Sequence, residues 1–318
     1  MTPLWMLSAL TSAALQASEP SVRTYHELPI IRYAQPRVPP PKNIKPDSIG
    51  MDITAHSAIV LDPASGMILF EKQASEQRSL ASLTKLMTAL VALDTLQGAN
   101  PAWVVHSEDV NREGKDPLEV GATYAARDVL EAMLIGSVNT AGNMVAHELG
   151  GREAFVAKMN ARAESMGLVH THFVDSTGLS PDNVSSAYDV AKLLNAALSV
   201  PVIHEWTIQS TYSITSLDTK KTTSVESTNL LLGSFLNKGN FEVIGAKTGS
   251  LPEAGFCLAQ RTRLKDRPGE VIVVAMGSES HLARFQDVKA LTSWAFRTHV
   301  WPDLVGTRRD VSRVARQR

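Results

Sequence analysis

A hydroxyl and an amine stand one helical turn apart in the stretch Ser82-Leu83-Thr84-Lys85. The apolar spacing that follows predicts a buried helix beginning here, and residues three apart on a helix share a face. A serine hydroxyl is a weak nucleophile until a neighbouring base removes its proton, and a lysine that burial keeps neutral can be that base. Ser82 is therefore a candidate acylating nucleophile, with Lys85 as its base.

Two later motifs supply groups that such a nucleophile needs. Ser137-Val138-Asn139 lies at a predicted break between two helices, and Lys247-Thr248-Gly249 lies at the predicted end of a strand. A second Ser-x-Asn copy begins at Ser227, but it lacks the helix–helix context. Each motif alone is common and is most simply a stretch without chemistry. Their order along the chain carries the interpretation.

The strands that would position these motifs share β-prone apolar runs bounded by turn residues. We predict them over 57–61, 67–71, 241–247, 255–263 and 270–276. The short turns at 62–66 and 265–269 favour hairpins, and hairpins favour antiparallel pairing. The order of the elements does not alternate as strand, helix and strand. The sequence therefore predicts an α/β (α+β) fold with an antiparallel five-stranded sheet.

Helical periodicity accounts for most of the remaining chain. It predicts an inserted all-helical subdomain over about 82–200, in which Thr123 is a good N-cap for the second helix. An amphipathic closing helix is predicted over 280–298. Helices would therefore flank the sheet.

Composition excludes several function classes. The chain has 318 residues and a net charge of −1, which gives no nucleic-acid-binding footprint. Cys257 is the only cysteine, so no intrachain disulfide can form. His170 and His172 lack a third ligand at the spacing of a metal site, so we predict neither a metal nor another cofactor.

Four regions follow from the distribution of apolar, proline and charged residues. Residues 1–17 read as a signal peptide, which predicts a periplasmic or otherwise extracytoplasmic location. Residues 18–50 contain seven of the sixteen prolines and are predicted to be a linker. The folded domain is predicted over 51–300. The basic tail, 301–318, is either a solvated end or a peripheral contact with an anionic membrane or cell-wall surface.

With its three motifs in this order, the chain resembles the serine DD-peptidases of the penicillin-binding protein and D-alanyl-D-alanine carboxypeptidase family, peptidase family S11. The resemblance extends from about Ala55 to about Thr298. It implies a β-lactamase/transpeptidase-like fold. The stretch Gly255-Phe-Cys-Leu-Ala-Gln-Arg-Thr262, with no C-terminal β-domain after the closing helix, is most similar to the small penicillin-binding protein 7 type, a D-alanyl-D-alanine endopeptidase.

The resemblance also implies roles for the matching residues. Ser82 would attack a carbonyl that follows a D-alanine, and Lys85 would accept its proton. The backbone N–H groups of Ser82 and Ser250 would form the oxyanion hole. Ser137 would relay a proton to the leaving amine, because an amide nitrogen must be protonated before it departs. Asn139 would hold the substrate amide and position Lys85.

The third motif would bind the carboxylate of the substrate. Lys247 would supply positive potential, Thr248 would add a hydroxyl, and Gly249 would let the peptide lie against the strand edge. The resemblance also suggests Arg261 as a further carboxylate partner. Val138 departs from the commonest middle residue of its motif, but the chemistry uses the first and third residues.

Several activities fit these residues. The first is an endopeptidase that cleaves D-Ala–diaminopimelate cross-links in peptidoglycan through an acyl-enzyme on Ser82, and the alternative is a carboxypeptidase that removes terminal D-Ala. Remoter alternatives are a β-lactamase and an inactive peptidoglycan-binding module. Class A β-lactamases use a Glu-x-x-Leu-Asn loop, whereas Leu194-Asn195 lacks that glutamate. β-Lactam antibiotics are therefore expected to be covalent inhibitors.

Overall fold

The computed structural model describes residues 38–111 and 116–303. The predicted signal peptide, much of the predicted linker and most of the basic tail lie outside the described residues. In the part that the structure describes, no helix has the length and apolar composition that crossing a membrane requires.

The helices and strands follow one another along the chain as a short pair of strands, a mainly helical stretch, and three long strands before a closing helix. The strands are β1 (Lys42–Asn43), β2 (Ser57–Leu61), β3 (Ile68–Lys72), β4 (Arg78–Ser79), β5 (Ala102–Val104), β6 (Thr123–Ala125), β7 (Val184–Ser185), β8 (Thr211–Thr215), β9 (Thr222–Glu226), β10 (Phe241–Leu251), β11 (Gly255–Leu264), β12 (Glu270–Ser278) and β13 (His299–Val300). The helices are α1 (Lys85–Leu96), α2 (Ala126–Ile135), α3 (Asn139–Glu148), α4 (Arg152–Ser165), α5 (Ala187–Leu198), α6 (Pro201–Thr207) and α7 (Ala283–Thr298), with 3-10 turns at Ala81–Thr84, Leu230–Gly233 and Phe235–Asn237.

A five-stranded antiparallel sheet in the order β10-β11-β12-β2-β3 separates two hydrophobic cores. Because side chains alternate along a strand, Ile59 and Val274 pack with the helices on one face, where α5 lies. Val60 and Val273 pack with α7 on the other face. The predicted α+β class and five-stranded antiparallel sheet are confirmed.

The region between β3 and β10 is mainly helical, but it differs from the prediction in detail. Three short antiparallel strand pairs, β4–β7, β5–β6 and β8–β9, lie within it, and β5–β6 falls inside 82–200, so the insertion is not all-helical. Thr123 does not cap a helix. It belongs to β6 and pairs with Val104, and both its N–H and its hydroxyl donate to Asp218. Helix α2 begins after it, at Ala126.

The end of the predicted linker is part of the domain. Strand β1 pairs with β13 beyond the closing helix, and the Trp294 indole donates to the Ser48 hydroxyl at 3.0 Å. The Trp301 indole donates to Asp62 at 2.9 Å. The ordered domain therefore extends at both ends beyond the predicted boundaries of 51 and 300.

One buried carboxylate joins three parts of this domain. Asp287 on α7 accepts hydrogen bonds from the Thr54 N–H at 2.9 Å, the Thr54 hydroxyl at 2.8 Å and the Ala55 N–H at 2.9 Å. It also accepts from the Ser278 hydroxyl at 2.7 Å. Asp287 thereby fastens the start of β2 and the end of β12 to the closing helix.

We expect Asp287→Ala to lower the free energy of unfolding by about 3 kcal/mol, because buried donors lose their acceptor. Chemical denaturation followed by circular dichroism measures the change. Asp94→Ala, which removes an exposed carboxylate paired with Arg162, is the control and should change stability by less than about 1 kcal/mol. Equal effects of the two substitutions would contradict this role of Asp287.

Candidate active site

Ser82 and Lys85 lie where a 3-10 turn runs into α1. Sequence reasoning placed Ser82 in the first turn of an α-helix, whereas that helix begins at Lys85. Ala81 has a φ of +46°, a left-handed conformation that a residue with a Cβ rarely adopts. The Lys85 Nζ lies 2.8 Å from the Ser82 Oγ. The predicted proximity of the amine and the hydroxyl is therefore present.

The Lys85 amine is fully buried and has two further partners. Its Nζ donates to the Asn139 Oδ1 at 2.7 Å and to the Thr177 carbonyl at 2.7 Å. A neutral amine has two N–H bonds and one lone pair. Donation to Asn139 and Thr177 therefore leaves the lone pair directed at Ser82, which is the arrangement a base requires.

Burial lowers the pKa of Lys85 to about 7, against a smaller opposing effect of the Asp175 carboxylate. Burial disfavours the charged form of an amine because water no longer solvates it. The neutral form of Lys85, which is the form that can accept a proton, is therefore accessible near neutral pH.

A loop that sequence analysis gave no chemical role fixes one of these partners. Asp175 accepts hydrogen bonds from the N–H groups of Thr177 and Gly178, each at 2.6 Å, and of Ser180 at 2.7 Å. Burial acts to raise the pKa of Asp175, but these bonds outweigh it and hold the pKa below its usual value. The folded loop presents the Thr177 carbonyl to Lys85.

Ser137 occupies the predicted break between α2 and α3. Its φ of +58° turns the chain sharply, and its hydroxyl accepts a 2.8 Å hydrogen bond from the Lys247 Nζ. Lys247 is buried and also donates to the Thr248 carbonyl at 2.9 Å. Burial, followed by the positive charges of Lys85 and Arg284, lowers the pKa of Lys247 well below its usual value.

The third motif lies within a strand and not at its end, because β10 continues to Leu251. This places Gly249 beside the nucleophile turn, where an added Cβ would lie 3.0 Å from the Ser82 nitrogen. A side chain here would crowd the turn, so glycine favours this close approach. Strand β10 also forms an edge of the sheet, so its backbone has a side that no other strand of that sheet covers.

The motifs meet at a cleft of about 390 Å³. Apart from the apolar Leu230, its lining is made of hydroxyl-bearing, basic and small residues: Ser82, Ser137, Ser227, Thr228, Thr248, Gly249, Ser250, His281 and Arg284. Ser82, Ser137, Thr248, Gly249 and Ser250 were all predicted from sequence, whereas His281 and Arg284 were not. None of the lining residues is acidic, so the cleft suits an anionic group.

Arg261, which sequence analysis gave as a further carboxylate partner, does not line the cleft. Its guanidinium donates to Glu270 at 2.6 Å and to Asn195 at 3.0 Å. The cation that the structure places at the cleft is Arg284 on α7, which donates to the Gly249 carbonyl at 2.9 Å. A charged residue beside the apolar Phe285 of a buried helix face was the only sequence signal for it.

The second Ser-x-Asn copy is used differently. Ser227 and Thr228 line the cleft, but Asn229 is buried and its amide donates to Gln260 at 3.2 Å. Its Oδ1 accepts from the Leu231 N–H at 3.0 Å and caps a 3-10 turn. Asn139 is therefore the asparagine that reaches Lys85.

Comparison with known proteins identifies the family. The family model Peptidase S11, described as D-alanyl-D-alanine carboxypeptidase, matches residues 42–280. The chain belongs to this family. The predicted enzyme class, a serine-type D-Ala-D-Ala peptidase, is confirmed with it.

Individual relatives agree with this assignment. The chain is 33% identical to a D-alanyl-D-alanine endopeptidase of Pseudomonas aeruginosa, over 80% of this chain and 81% of the relative. It is 31% identical to a D-alanyl-D-alanine endopeptidase of Escherichia coli, over 79% of this chain and 80% of the relative. Among solved structures, it is similar to cefotaxime-bound penicillin-binding protein D2 of Listeria monocytogenes, with a TM-score of 0.67, 28% identity, and coverage of 77% and 98% of the two chains.

We expect acylation by a chromogenic β-lactam to slow by about ten-fold per pH unit below the pKa of Lys85, because only the neutral amine accepts the Ser82 proton. Since the Asp175 carboxylate raises that pKa, Asp175→Asn should move the midpoint to lower pH. Stopped-flow rates with a chromogenic β-lactam across pH give the midpoints. Asp182→Asn, in the same loop, is the control. A midpoint that Asp175→Asn leaves unchanged would contradict this account.

Gly178 provides a structural test of the nucleophile turn. It has a φ of +84°, and an added Cβ would lie 1.9 Å from the Ala81 carbonyl oxygen. Gly178→Ala should therefore displace Ser82 and slow β-lactam acylation by about 100-fold or more. Gly66→Ala is the matched control, since Gly66 has a φ of +76° with nothing within 4 Å of the added Cβ. It should retain the acylation rate, and equal losses in both variants would refute the steric explanation.

Proposed function

We propose that this enzyme is an endopeptidase that hydrolyses D-Ala–diaminopimelate cross-links of peptidoglycan through an acyl-enzyme on Ser82. The observation that carries the proposal is the buried Lys85 amine, which lies within hydrogen-bond distance of the Ser82 hydroxyl, the Asn139 side chain and the Thr177 carbonyl. That arrangement makes the amine a base aimed at one hydroxyl. Packing alone does not explain a buried amine at this position, because taking an amine out of water is energetically unfavourable.

In the acylation step, the Ser82 Oγ attacks the carbonyl carbon of D-Ala while Lys85 accepts the hydroxyl proton. The backbone N–H groups of Ser82 and Ser250 bind the oxyanion, each contributing about 3 kcal/mol to the transition state. The C–N bond then breaks as Ser137 protonates the nitrogen. Ser137 recovers a proton from the lysines, so the proton taken from Ser82 leaves with the amine.

In the deacylation step, a water molecule gives a proton to the neutral Lys85 and attacks the ester carbonyl. The ester bond breaks, Ser82 recovers its proton from Lys85, and the acid product leaves. This step needs the same base as acylation and no additional residue. With no glutamate of the class A β-lactamase type, a penicillin acyl-enzyme should persist, which argues against the β-lactamase alternative.

The charge of the cleft supports a leaving group that carries a carboxylate next to the scissile nitrogen. Thr248 and Arg284 line the cleft, and Lys247 lies directly behind it. Arg284 is almost completely buried, and its Nε has no hydrogen-bond partner. An anion in the cleft would compensate this concentration of positive charge. Terminal D-Ala and the D-centre of diaminopimelate both offer such a carboxylate.

The relatives from Pseudomonas aeruginosa and Escherichia coli support endopeptidase activity over carboxypeptidase activity, since both are named D-alanyl-D-alanine endopeptidase. Carboxypeptidase action on terminal D-Ala uses the same machinery and is the alternative. An inactive peptidoglycan-binding module is disfavoured by the complete set of bonds around Lys85 and Lys247. β-Lactams are proposed as covalent inhibitors, in line with the cefotaxime-bound structural relative.

A peptidoglycan substrate fits an extracytoplasmic, periplasmic enzyme. The predicted signal peptide, linker and basic tail would deliver the domain and hold it near the wall or the membrane surface. These remain predictions, because the segments that carry them lie largely outside the described residues.

The decisive experiment combines labelling with product analysis. A fluorescent penicillin should label the wild type and the control Ser199→Ala, and should fail to label Ser82→Ala. The wild type should then convert purified cross-linked muropeptide dimers to monomers at least about ten-fold faster, by kcat/KM, than it releases D-Ala from pentapeptides. The reverse preference would establish a carboxypeptidase. Labelling of Ser82→Ala, or rapid hydrolysis of the penicillin, would refute the proposed mechanism.

A further inference from the structure

His281 is a cleft residue that the proposed mechanism does not use. It lies just before α7, is exposed, and lines the same cleft as Ser82 and Ser250. Its ring packs edge-on against Phe256, with centroids 6.2 Å apart, and against Phe285, with centroids 5.5 Å apart. The imidazole is therefore held in place by two aromatic rings at the mouth of the cleft.

Arg284 uses the same two rings. Its guanidinium carbon lies 5.6 Å from the Phe256 centroid and 4.8 Å from the Phe285 centroid. The two aromatic side chains thus form one platform that carries an imidazole and a guanidinium side by side. Both basic groups line the cleft, and its lining contains no acidic residue to neutralise them.

We propose that His281 is a substrate-binding residue that, together with Arg284, binds the carboxylate of the leaving group, and binds it more tightly when the imidazole is protonated. The inference rests on the proposed function only for the choice of ligand. A neutral imidazole donates one N–H to an anion, whereas the protonated ring adds a full positive charge.

The groups around His281 determine whether carboxylate binding raises or lowers its pKa. Partial burial, followed by the positive charge of Arg284, lowers the pKa of His281 in the empty cleft. Burial, followed by the positive charges of Lys85 and Arg284, holds the pKa of Lys247 on β10 well below its usual value, and burial raises the pKa of the Cys257 thiol on β11 to about 11, so neither group carries a negative charge. Glu279 is the nearest carboxylate along the chain. A bound carboxylate would therefore raise the pKa of His281, and binding would take up a proton.

The test measures binding without turnover. In a Ser82→Ala background, calorimetry gives the Kd of an acylated peptide ending in D-Ala-D-Ala and of the same peptide as its C-terminal amide, between about pH 5 and 8. The carboxylate peptide should bind about five-fold more tightly at the acidic end, the size of one partly exposed ion pair, and the amide should not. The lysines contribute equally in all variants.

His281→Phe keeps an aromatic ring on the platform but cannot ionise, and His281→Gln keeps a polar group. Both should remove the His281-dependent tightening at low pH, whereas His170→Phe, at a surface histidine outside the cleft lining, should retain it. The same pH dependence in the His281 variants, or equal tightening with the amide peptide, would overturn the inference. A wild type that fails to cleave the cross-linked muropeptide dimers while His281-dependent binding persists would refute the proposed function and leave this inference standing.

Discussion

The burial of one amine is the constraint on which the rest of this structure depends. Lys85 has no contact with solvent, so its Nζ must find partners within the protein or remain unsatisfied at a considerable free-energy cost. Each of its three partners comes from a different part of the chain: the turn before α1, the start of α3 and the 175–180 loop. The architecture around α1 can be understood as the means of holding those three oxygens in place.

A second buried lysine, Lys247, lies near Lys85 and Arg284, and burial together with these two charges lowers its pKa. Lys247 and Arg284 lie close enough to influence each other, and neither has a carboxylate in the cleft lining. Like charges at short range disfavour the doubly charged state, so each group makes its neighbours easier to deprotonate. The positive potential that helps burial to lower the pKa of Lys247 also attracts an anionic substrate. One arrangement of charge therefore serves both proton transfer and binding.

The motif residues could be predicted from the sequence more fully than the residues that surround and position them. The three motifs, the five sheet strands and the closing helix could be predicted because hydroxyl–amine spacing, β-prone runs and helical periodicity are local signals. Arg284 and the Asp175 loop could not, because their importance arises from residues distant in sequence that pack against them. Thr123 was misassigned for a related reason: its hydrogen bonds to Asp218 and its pairing with Val104 override its preference as a helix cap.

The hydrogen bonds of the site have one consequence for how the protein matures. Lys85 is separated by 54 residues from Asn139 and by 92 from Thr177, and Ser137 by 110 from Lys247. Contacts between such distant residues form late in folding, because long loops must close first. A partly folded chain therefore has an ordinary serine and a charged, solvated lysine. The ability to acylate Ser82 therefore arises only when these distant segments have packed together.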